Sequence, residues 1–194
     1  MTKNKIREVA MNSFAMKGYE ETSLSMIANA VGIKTPSIYA FYKSKEDLFL
    51  EALHEVLFHH YKHIERAAES LPSEPTEKRL FQILKEMYTY HLREEEKTTF
   101  YLRFILFPPS GLEVQIHQEF IKSDEFLSEI LDEIFTLAIQ KGEIKEIEIA
   151  SLIAGFLCLM DGLFIQLFYY RSNAEELNRR LKTVWAIYWE GIKK

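Results

Sequence analysis

Gly32 constrains this sequence more than any other residue, because it separates two short apolar segments that are each suited to a helix. Glycine can take the left-handed backbone conformation that a tight turn between helices requires. In the first segment, Thr22 or Ser23 can cap a helix whose apolar residues fall within 27–31. The sequence around Gly32 therefore predicts two short helices joined by a glycine turn.

The second segment combines a helix start with an inward-facing pair of residues. Thr35 is suited to the N-cap, and Pro36 is suited to the first turn, where its missing N–H costs nothing. Ile38 and Tyr42 are four residues apart, so they lie on one face. In a helix-turn-helix unit that binds DNA, the second helix lies in the major groove. These residues therefore predict a recognition helix that begins at Thr35.

The same region resembles a known family of regulators. Residues 23–28, 31–33, 38–39 and 43–46 are similar to the DNA-binding signature of the TetR (tetracycline-repressor) family of one-component regulators. The resemblance lies within residues 1–48, and it implies a C-terminal region that binds a small effector and dimerises. The sequence differs from the commoner family pattern at three positions, which bear on the operator sequence and not on the fold: Lys34, Pro36 and Tyr42.

The distribution of charge is compatible with a DNA-binding N-terminal region. The chain has 194 residues, of which 47% are hydrophobic, enough for a buried core, and its net charge is −5. Residues 1–48 contain seven Lys or Arg and five Asp or Glu, a net charge of +2, whereas residues 49–194 have a net charge of −7. Phosphate binding needs a local basic patch and not a basic protein.

Helical periodicity continues along the rest of the chain, without strand-like alternation. The sequence predicts an all-α fold of about nine helices, with a three-helix domain at residues 1–48 and an effector-binding and dimerisation domain at residues 49–194. A long predicted helix belongs to both domains and can transmit movement between them. Outside the glycine-turn pair, the predicted helices span residues 3–17, 45–69, 76–94, 113–121, 123–142, 147–171 and 174–192.

The predicted helix at residues 147–171 is apolar on almost every side, so it must be buried all round. The resemblance implies that it and the last helix pair with their two-fold mates in a homodimer interface. Residues 149–170 are also about long enough to cross a bilayer. Asp161 and Gln166 disfavour that alternative, because a carboxylate near the membrane centre costs roughly 2.5–3.5 kcal/mol. The sequence therefore predicts no membrane partner.

Short side chains at the start of the recognition helix favour hydroxyl or apolar readout of bases rather than bidentate contacts. Basic and aromatic side chains nearby are suited to phosphates, which position a protein without specifying sequence. The resemblance adds Ser25, at a position that can contact bases in the family. The alternative interpretation is a solvated face on a small helical bundle. The predicted DNA-binding set is Ser23, Ser25, Lys34, Thr35, Pro36, Ser37, Tyr39, Phe41, Lys43 and Lys45.

Aromatic and methionine side chains of residues 49–194 can line a cavity for an apolar or planar ligand, with His91 or Asp161 as the fixed polar group. The alternative is that they are core residues, and Asp161 can instead form a hydrogen bond within the dimer interface. The predicted ligand-binding set is Met87, Tyr88, His91, Phe100, Phe104, Phe107, Phe120, Phe156, Met160, Asp161 and Phe164.

Three further features bear on function. Cys158 is the only cysteine, which excludes an intrachain disulfide and fits a reducing cytoplasm; its apolar neighbours predict a small buried side chain rather than a redox sensor. His59 and His63 can share a metal, but no third ligand has clear spacing and a solvated helix face also explains them. No signal peptide or catalytic motif appears, so we expect a cytoplasmic protein that is not an enzyme and has no cofactor.

These features predict a ligand-responsive transcriptional regulator whose partners are double-stranded operator DNA, a small-molecule effector and a second copy of the chain. The expected mechanism is repression by operator occupancy, with release when a small apolar or aromatic effector shifts the dimer. Two alternatives remain: a helical small-molecule carrier or enzyme without a DNA role, and an interaction module that uses its terminal helices for another partner.

Overall fold

The computed structural model describes residues 2–170 and 174–194, and these residues confirm the all-α prediction. Within those ranges there is no strand, although Ile144 and Lys193 form an antiparallel bridge. The helical elements are α1 Thr2–Lys17, α2 Leu24–Val31, a 3-10 helix Thr35–Ser37, α3 Lys45–Glu69, α4 Thr76–Arg93, α5 Glu95–Leu106, α6 Glu113–Gln140, α7 Ile149–Tyr170 and α8 Ala174–Ile192.

Two predicted helices are one in the structure. The sequence predicted separate helices at residues 113–121 and 123–142, but α6 runs without interruption from Glu113 to Gln140. Ser123 and the acids after it resemble a helix start, yet neither glycine nor proline lies near them to end the preceding helix. The predicted end at residue 171 lies outside the described residues.

The chain divides into two compact units. The N-terminal unit consists of Met1–His59 and Glu94–Ser123, and the C-terminal unit consists of His60–Arg93 and Asp124–Lys194. α3 and α6 each contribute one end to each unit. The compact units follow packing, so the functional division at residue 48 stays a prediction.

The core of the N-terminal unit forms where α1, α3 and α5 bury their apolar faces. α1 buries Ile6, Ala10 and Phe14 on one face. The fully buried ring of Phe49 on α3 has its centroid 5.3 Å from that of Phe14 and 4.8 Å from that of Phe104 on α5. Edge-on aromatic contacts of this kind add to the free energy of apolar burial. α5 is therefore part of the same core as α1 and α3.

The core of the C-terminal unit joins α4, α6, α7 and α8. Phe135 of α6 and Phe156 of α7 are fully buried, with ring centroids 6.4 Å apart. Trp185 of α8 stacks on Trp189 at 5.9 Å and contacts Phe81 of α4 at 5.6 Å. α7 buries only part of its surface in this core, which bears on its role below.

Candidate DNA-binding surface and effector region

Ser23 and Thr22 have separate roles at the start of α2. Ser23 is the N-cap, and its hydroxyl accepts a hydrogen bond from the backbone N–H of Met26 at 3.2 Å. Thr22 is buried, and its hydroxyl donates to the carbonyl of Gly18 at 2.7 Å. The cap predicted at one of these two residues is thus formed by Ser23, while Thr22 secures the connection from α1.

The turn predicted at Gly32 is confirmed. Gly32 has φ 83° and ψ 31°, in the left-handed region. Its N–H donates to the carbonyls of Ala28 at 3.0 Å and Asn29 at 3.1 Å, and the N–H of Ile33 donates to Ala28 at 3.0 Å. These bonds satisfy the last carbonyls of α2, which would otherwise lack partners, and reverse the chain into the second element.

The second element begins at Thr35, but the prediction that Thr35 is its N-cap is wrong. Lys34 is the last extended residue and makes no side-chain cap, while Thr35 is the first residue of the 3-10 helix. The N–H of Ser37 donates to Lys34 at 2.9 Å and that of Ile38 to Thr35 at 3.0 Å. Ser37 is the first residue whose N–H can bond within this turn, so the missing N–H of Pro36 costs no hydrogen bond.

Ile38 and Tyr42 attach this element to the N-terminal unit, as predicted from their spacing. Both side chains are buried, and the Tyr42 hydroxyl donates to the carbonyl of Lys3 on α1 at 3.3 Å. Burial, followed by the negative charge of Glu51, raises the pKa of Tyr42 to about 12. The phenol therefore stays protonated and keeps its hydrogen bond throughout the physiological range.

The side chains of the predicted DNA-binding set are all at least partly exposed. Tyr39 is 58% exposed and Phe41 is 44% exposed, although aromatic side chains usually bury most of their area. Thr35 and Lys45 are half-buried. The remaining members of the predicted DNA-binding set are exposed: Ser23, Ser25, Lys34, Pro36, Ser37 and Lys43.

The start of α3 contains a cap that the sequence analysis missed. The hydroxyl of Ser44 accepts from the backbone N–H of Asp47 at 3.0 Å, and the Asp47 carboxylate accepts from the backbone N–H of Lys43 at 2.7 Å. Ser-x-x-Asp is a capping-box spacing, so the sequence contained the signal. The cap holds the basic turn 43–45 in one backbone conformation.

A glycine turn, an anchored second element and an exposed polar, basic and aromatic face together define a helix-turn-helix protein of the DNA-binding class. Comparison with known proteins agrees. Residues 6–52 match the family model described as "Bacterial regulatory proteins, tetR family".

Two curated relatives extend the match beyond the N-terminal region. The chain is 30% identical over 142 residues to the fatty acid metabolism regulator protein of Bacillus subtilis (strain 168), covering 73% of this chain and 70% of that protein. It is 27% identical over 142 residues to the probable HTH-type transcriptional regulator YttP of the same organism, covering 73% of this chain and 65% of that protein. The chain belongs to the TetR family of bacterial transcriptional regulators.

A solved structure supports the fold over nearly the whole chain. The transcriptional regulator FadR from Bacillus subtilis, in complex with stearoyl-CoA, superposes with a TM-score of 0.76 at 21% identity. The alignment covers 97% of this chain and 98% of that chain. The C-terminal region therefore has the architecture of a regulator's C-terminal region although it contains no sequence motif of its own.

The predicted ligand-binding residues are divided between the two units. Phe100 and Phe104 pack in the core of the N-terminal unit, where their ring centroids are 5.7 Å and 4.8 Å from that of Phe49. Phe107 is 76% exposed, and Phe120 belongs to the N-terminal unit as well. The members in the C-terminal unit are Met87, Tyr88, His91, Phe156, Met160, Asp161 and Phe164.

His91 lies in a buried polar contact that the sequence analysis did not predict. Its Nε2 atom is 3.3 Å from the Nε2 atom of His60 on α3, and its ring centroid is 4.0 Å from that of Phe164 on α7. Burial lowers the pKa of both histidines. Both rings are therefore neutral at neutral pH, and one Nε2–H donates to the other Nε2.

Asp161 faces a different environment. It is exposed on α7 and lines an open groove of about 510 Å³ with Gly162, Ile165, Gln166 and Tyr170. The structure therefore separates the two polar groups proposed for the ligand, because His91 is in the buried core and Asp161 is on the surface.

The prediction that Cys158 is buried is wrong. Its side chain is exposed, because α7 packs on the C-terminal unit through one face, which includes Leu152, Phe156 and Leu163. By length and composition, Ile149–Phe168 is apolar enough to cross a membrane, and 28% of the window is buried. A single copy of the chain thus leaves much of an apolar helix in contact with solvent.

The structure gives His59 and His63 different neighbours. His59 Nε2 is 3.3 Å from the carboxylate of Glu55, and the ring centroid of His63 is 4.7 Å from that of Tyr90. Among the described residues, no three His, Cys, Asp or Glu side chains are grouped to hold a metal.

The buried pair of His60 and His91 predicts that the folded state is less stable at acidic pH. The pKa of His60 and His91 is lower in the folded state than the ordinary 6.5, so the unfolded chain binds more protons below that value. We expect the free energy of unfolding to fall as pH decreases from about 6.5, by up to roughly 1.4 kcal/mol per pH unit for each histidine.

Urea unfolding between pH 7 and pH 5 measures this slope. Replacing both residues, His60→Leu with His91→Leu, should flatten it, while the exposed His117→Asn control keeps it. An equal slope in the double variant and the wild type would contradict the assignment.

Proposed function

We propose that this chain is a repressor that binds operator DNA as a homodimer and leaves it when a small apolar effector binds. The observation that carries the proposal is the exposed face around Gly32, held in place by the buried side chains of Ile38 and Tyr42. Residues 1–48 form the DNA-binding domain and residues 49–194 the effector-binding and dimerisation domain. The protein acts in the cytoplasm, without enzymatic activity.

In this proposal the exposed residues have two kinds of contact. Ser25, Thr35, Pro36 and Ser37 meet base edges, where the proline ring and hydroxyl groups suit thymine methyls and hydrogen-bonding edges. The basic and aromatic residues contact phosphates and fix the register: Ser23, Lys34, Tyr39, Phe41, Lys43 and Lys45.

We propose a long-chain acyl compound as the effector. Support comes from the Bacillus subtilis regulators, one named for fatty acid metabolism and one crystallised with stearoyl-CoA. In the C-terminal unit, Met87, Phe156 and Phe164 are buried apolar side chains suited to an acyl chain. The neutral imidazole of His91 is the polar group that we expect to form a hydrogen bond with the carbonyl of the acyl compound.

The homodimer is proposed through α7 and α8. The exposed part of α7 includes Cys158 and Phe168, and Ile187 on α8 is 71% exposed. A second copy packed on these helices removes this apolar surface from water. The dimer also provides two recognition elements, which a two-fold operator requires at about 34–36 Å, one turn of DNA.

In this proposal the effector releases the DNA by changing the populations of two states of the dimer. The dimer has two states, which differ in the separation of their recognition elements. A ligand shifts the balance between these states only if it binds them with different affinities. α3 continues from the N-terminal unit into the C-terminal unit, where it contributes His60 beside His91. An acyl chain that displaces this pair changes the packing of the same helix that begins at the DNA-binding turn.

The first experiment tests DNA binding with the chain's own upstream DNA. We expect sequence-selective binding that weakens with salt, and Lys43→Ala should make the slope of log K against log salt less negative by about 0.9 for each lost phosphate contact. Lys85→Ala, an exposed lysine of α4, serves as the matched control and should not change the slope. A wild-type protein that ignores this DNA at low salt supports the carrier or enzyme alternative instead.

The second experiment tests the effector. Stearoyl-CoA should dissociate the complex with upstream DNA, whereas free CoA should not, because the acyl chain supplies the apolar burial. Replacing His91 by leucine should weaken the response to stearoyl-CoA with little effect on DNA binding. A complex that withstands saturating stearoyl-CoA rules out this effector class and leaves the DNA-binding proposal intact.

The third experiment tests the dimer by sedimentation. Ile187→Lys should give a monomer and abolish tight operator binding, because a buried unpaired ammonium is strongly unfavourable. Leu92→Lys on α4 is the matched control, since Leu92 is also exposed but lies outside α7 and α8. A dimeric Ile187→Lys variant would mean that the interface lies elsewhere.

A further inference from the structure

The side chain of Lys45 has two contacts with one residue, Tyr19. Its Nζ atom donates to the Tyr19 carbonyl at 2.9 Å and lies 4.1 Å from the centroid of the Tyr19 ring. The ring is itself fixed, with its centroid 5.8 Å from that of Phe14 and 5.1 Å from that of Phe49, two fully buried aromatic residues. Tyr19 thus connects the buried core of the N-terminal unit to an ammonium group.

The location of this ammonium group makes the contact relevant to DNA. Lys45 is the first residue of α3, directly after the capped turn at Ser44. An ammonium group has three N–H donors; the Tyr19 carbonyl accepts from one and the ring face takes a second, so one stays available for a phosphate. A free lysine loses rotamer entropy when it binds a phosphate, whereas a lysine already held by a ring and a carbonyl loses less.

We propose that Tyr19 is a positioning residue for DNA binding: its ring and main-chain carbonyl hold the Lys45 ammonium ready for a backbone phosphate. This inference rests on the proposed function, because Lys45 is there assigned to a phosphate. Tyr19 itself was absent from the predicted DNA-binding set, and it acts through Lys45 rather than by touching DNA.

A double-mutant cycle on operator affinity tests the inference, using Tyr19→Leu, Lys45→Gln and the double variant. Tyr19→Leu should weaken binding by about 2- to 5-fold per half-site, the effect of one exposed cation–π contact, without changing the salt slope. Lys45→Gln should weaken binding and also make the slope of log K against log salt less negative by about 0.9 per half-site. In the Lys45→Gln background, Tyr19→Leu should have no further effect, because the residue it positions is gone.

Tyr19→Phe is the control, because it keeps the ring and the carbonyl and should bind as the wild type does. Fully additive effects of Tyr19→Leu and Lys45→Gln overturn the inference. A wild-type protein that binds no upstream DNA defeats the proposed function instead, and the two failures are therefore distinct.

A measurement on the wild-type chain covers the case in which Tyr19→Leu fails to fold. The ε-methylene protons of Lys45 should resonate upfield of those of exposed lysines, because the Nζ atom bonded to this methylene lies 4.1 Å from the centroid of the Tyr19 ring, and should stay upfield when upstream DNA is bound. Random-coil shifts for these protons in the DNA complex overturn the inference without any variant.

Discussion

The candidate DNA-binding surface depends on the burial of Ile38 and Tyr42. The 3-10 helix Thr35–Ser37 contains no buried residue and is only three residues long, so its own hydrogen bonds cannot fix its position. Ile38 follows it directly and Tyr42 lies four residues further along; both are buried, and Tyr42 adds a hydrogen bond to α1. The exposed residues are thereby held at the surface while all apolar anchoring lies behind them.

This arrangement explains why the chain tolerates large exposed aromatic side chains. Tyr39 and Phe41 lie between Ile38 and Tyr42 in the sequence. The backbone that holds these two buried side chains inward therefore directs Tyr39 and Phe41 outward. Exposed aromatic area is unfavourable in isolation, and it is retained here on the same short segment as the basic turn 43–45.

Local interactions were the part of the fold that the sequence predicted. The glycine turn at Gly32 and the helical bounds of residues 45–69 and 174–192 depend on neighbours within a few residues, and the structure agrees with each. Contacts between distant residues were not predictable in this way. The backbone N–H of Thr76 at the start of α4 donates to the carboxylate of Glu143 at 2.9 Å, and His60 meets His91 from another helix.

The ligand-binding prediction shows the same limit more sharply. Most of the aromatic and methionine residues selected by composition are buried, although Phe107 is exposed, and composition does not say which helix pairs bury them together. Phe100 and Phe104 are members of the core around Phe49, whereas Met87 and Phe156 belong to the C-terminal unit. Only packing, which depends on residues far apart in sequence, separates core from candidate pocket.

The partial burial of α7 finally links stability to function. A helix that is apolar on almost every side loses much of the hydrophobic free energy available to it when only one face is covered. A single subunit leaves this apolar surface uncovered, and the partner that we propose for it is a second copy, whose apolar helices have the same chemistry as its own. If assembly completes the core, then the spacing of the two recognition elements is determined by the same packing that stabilises the subunits, and an effector that alters this packing changes both together.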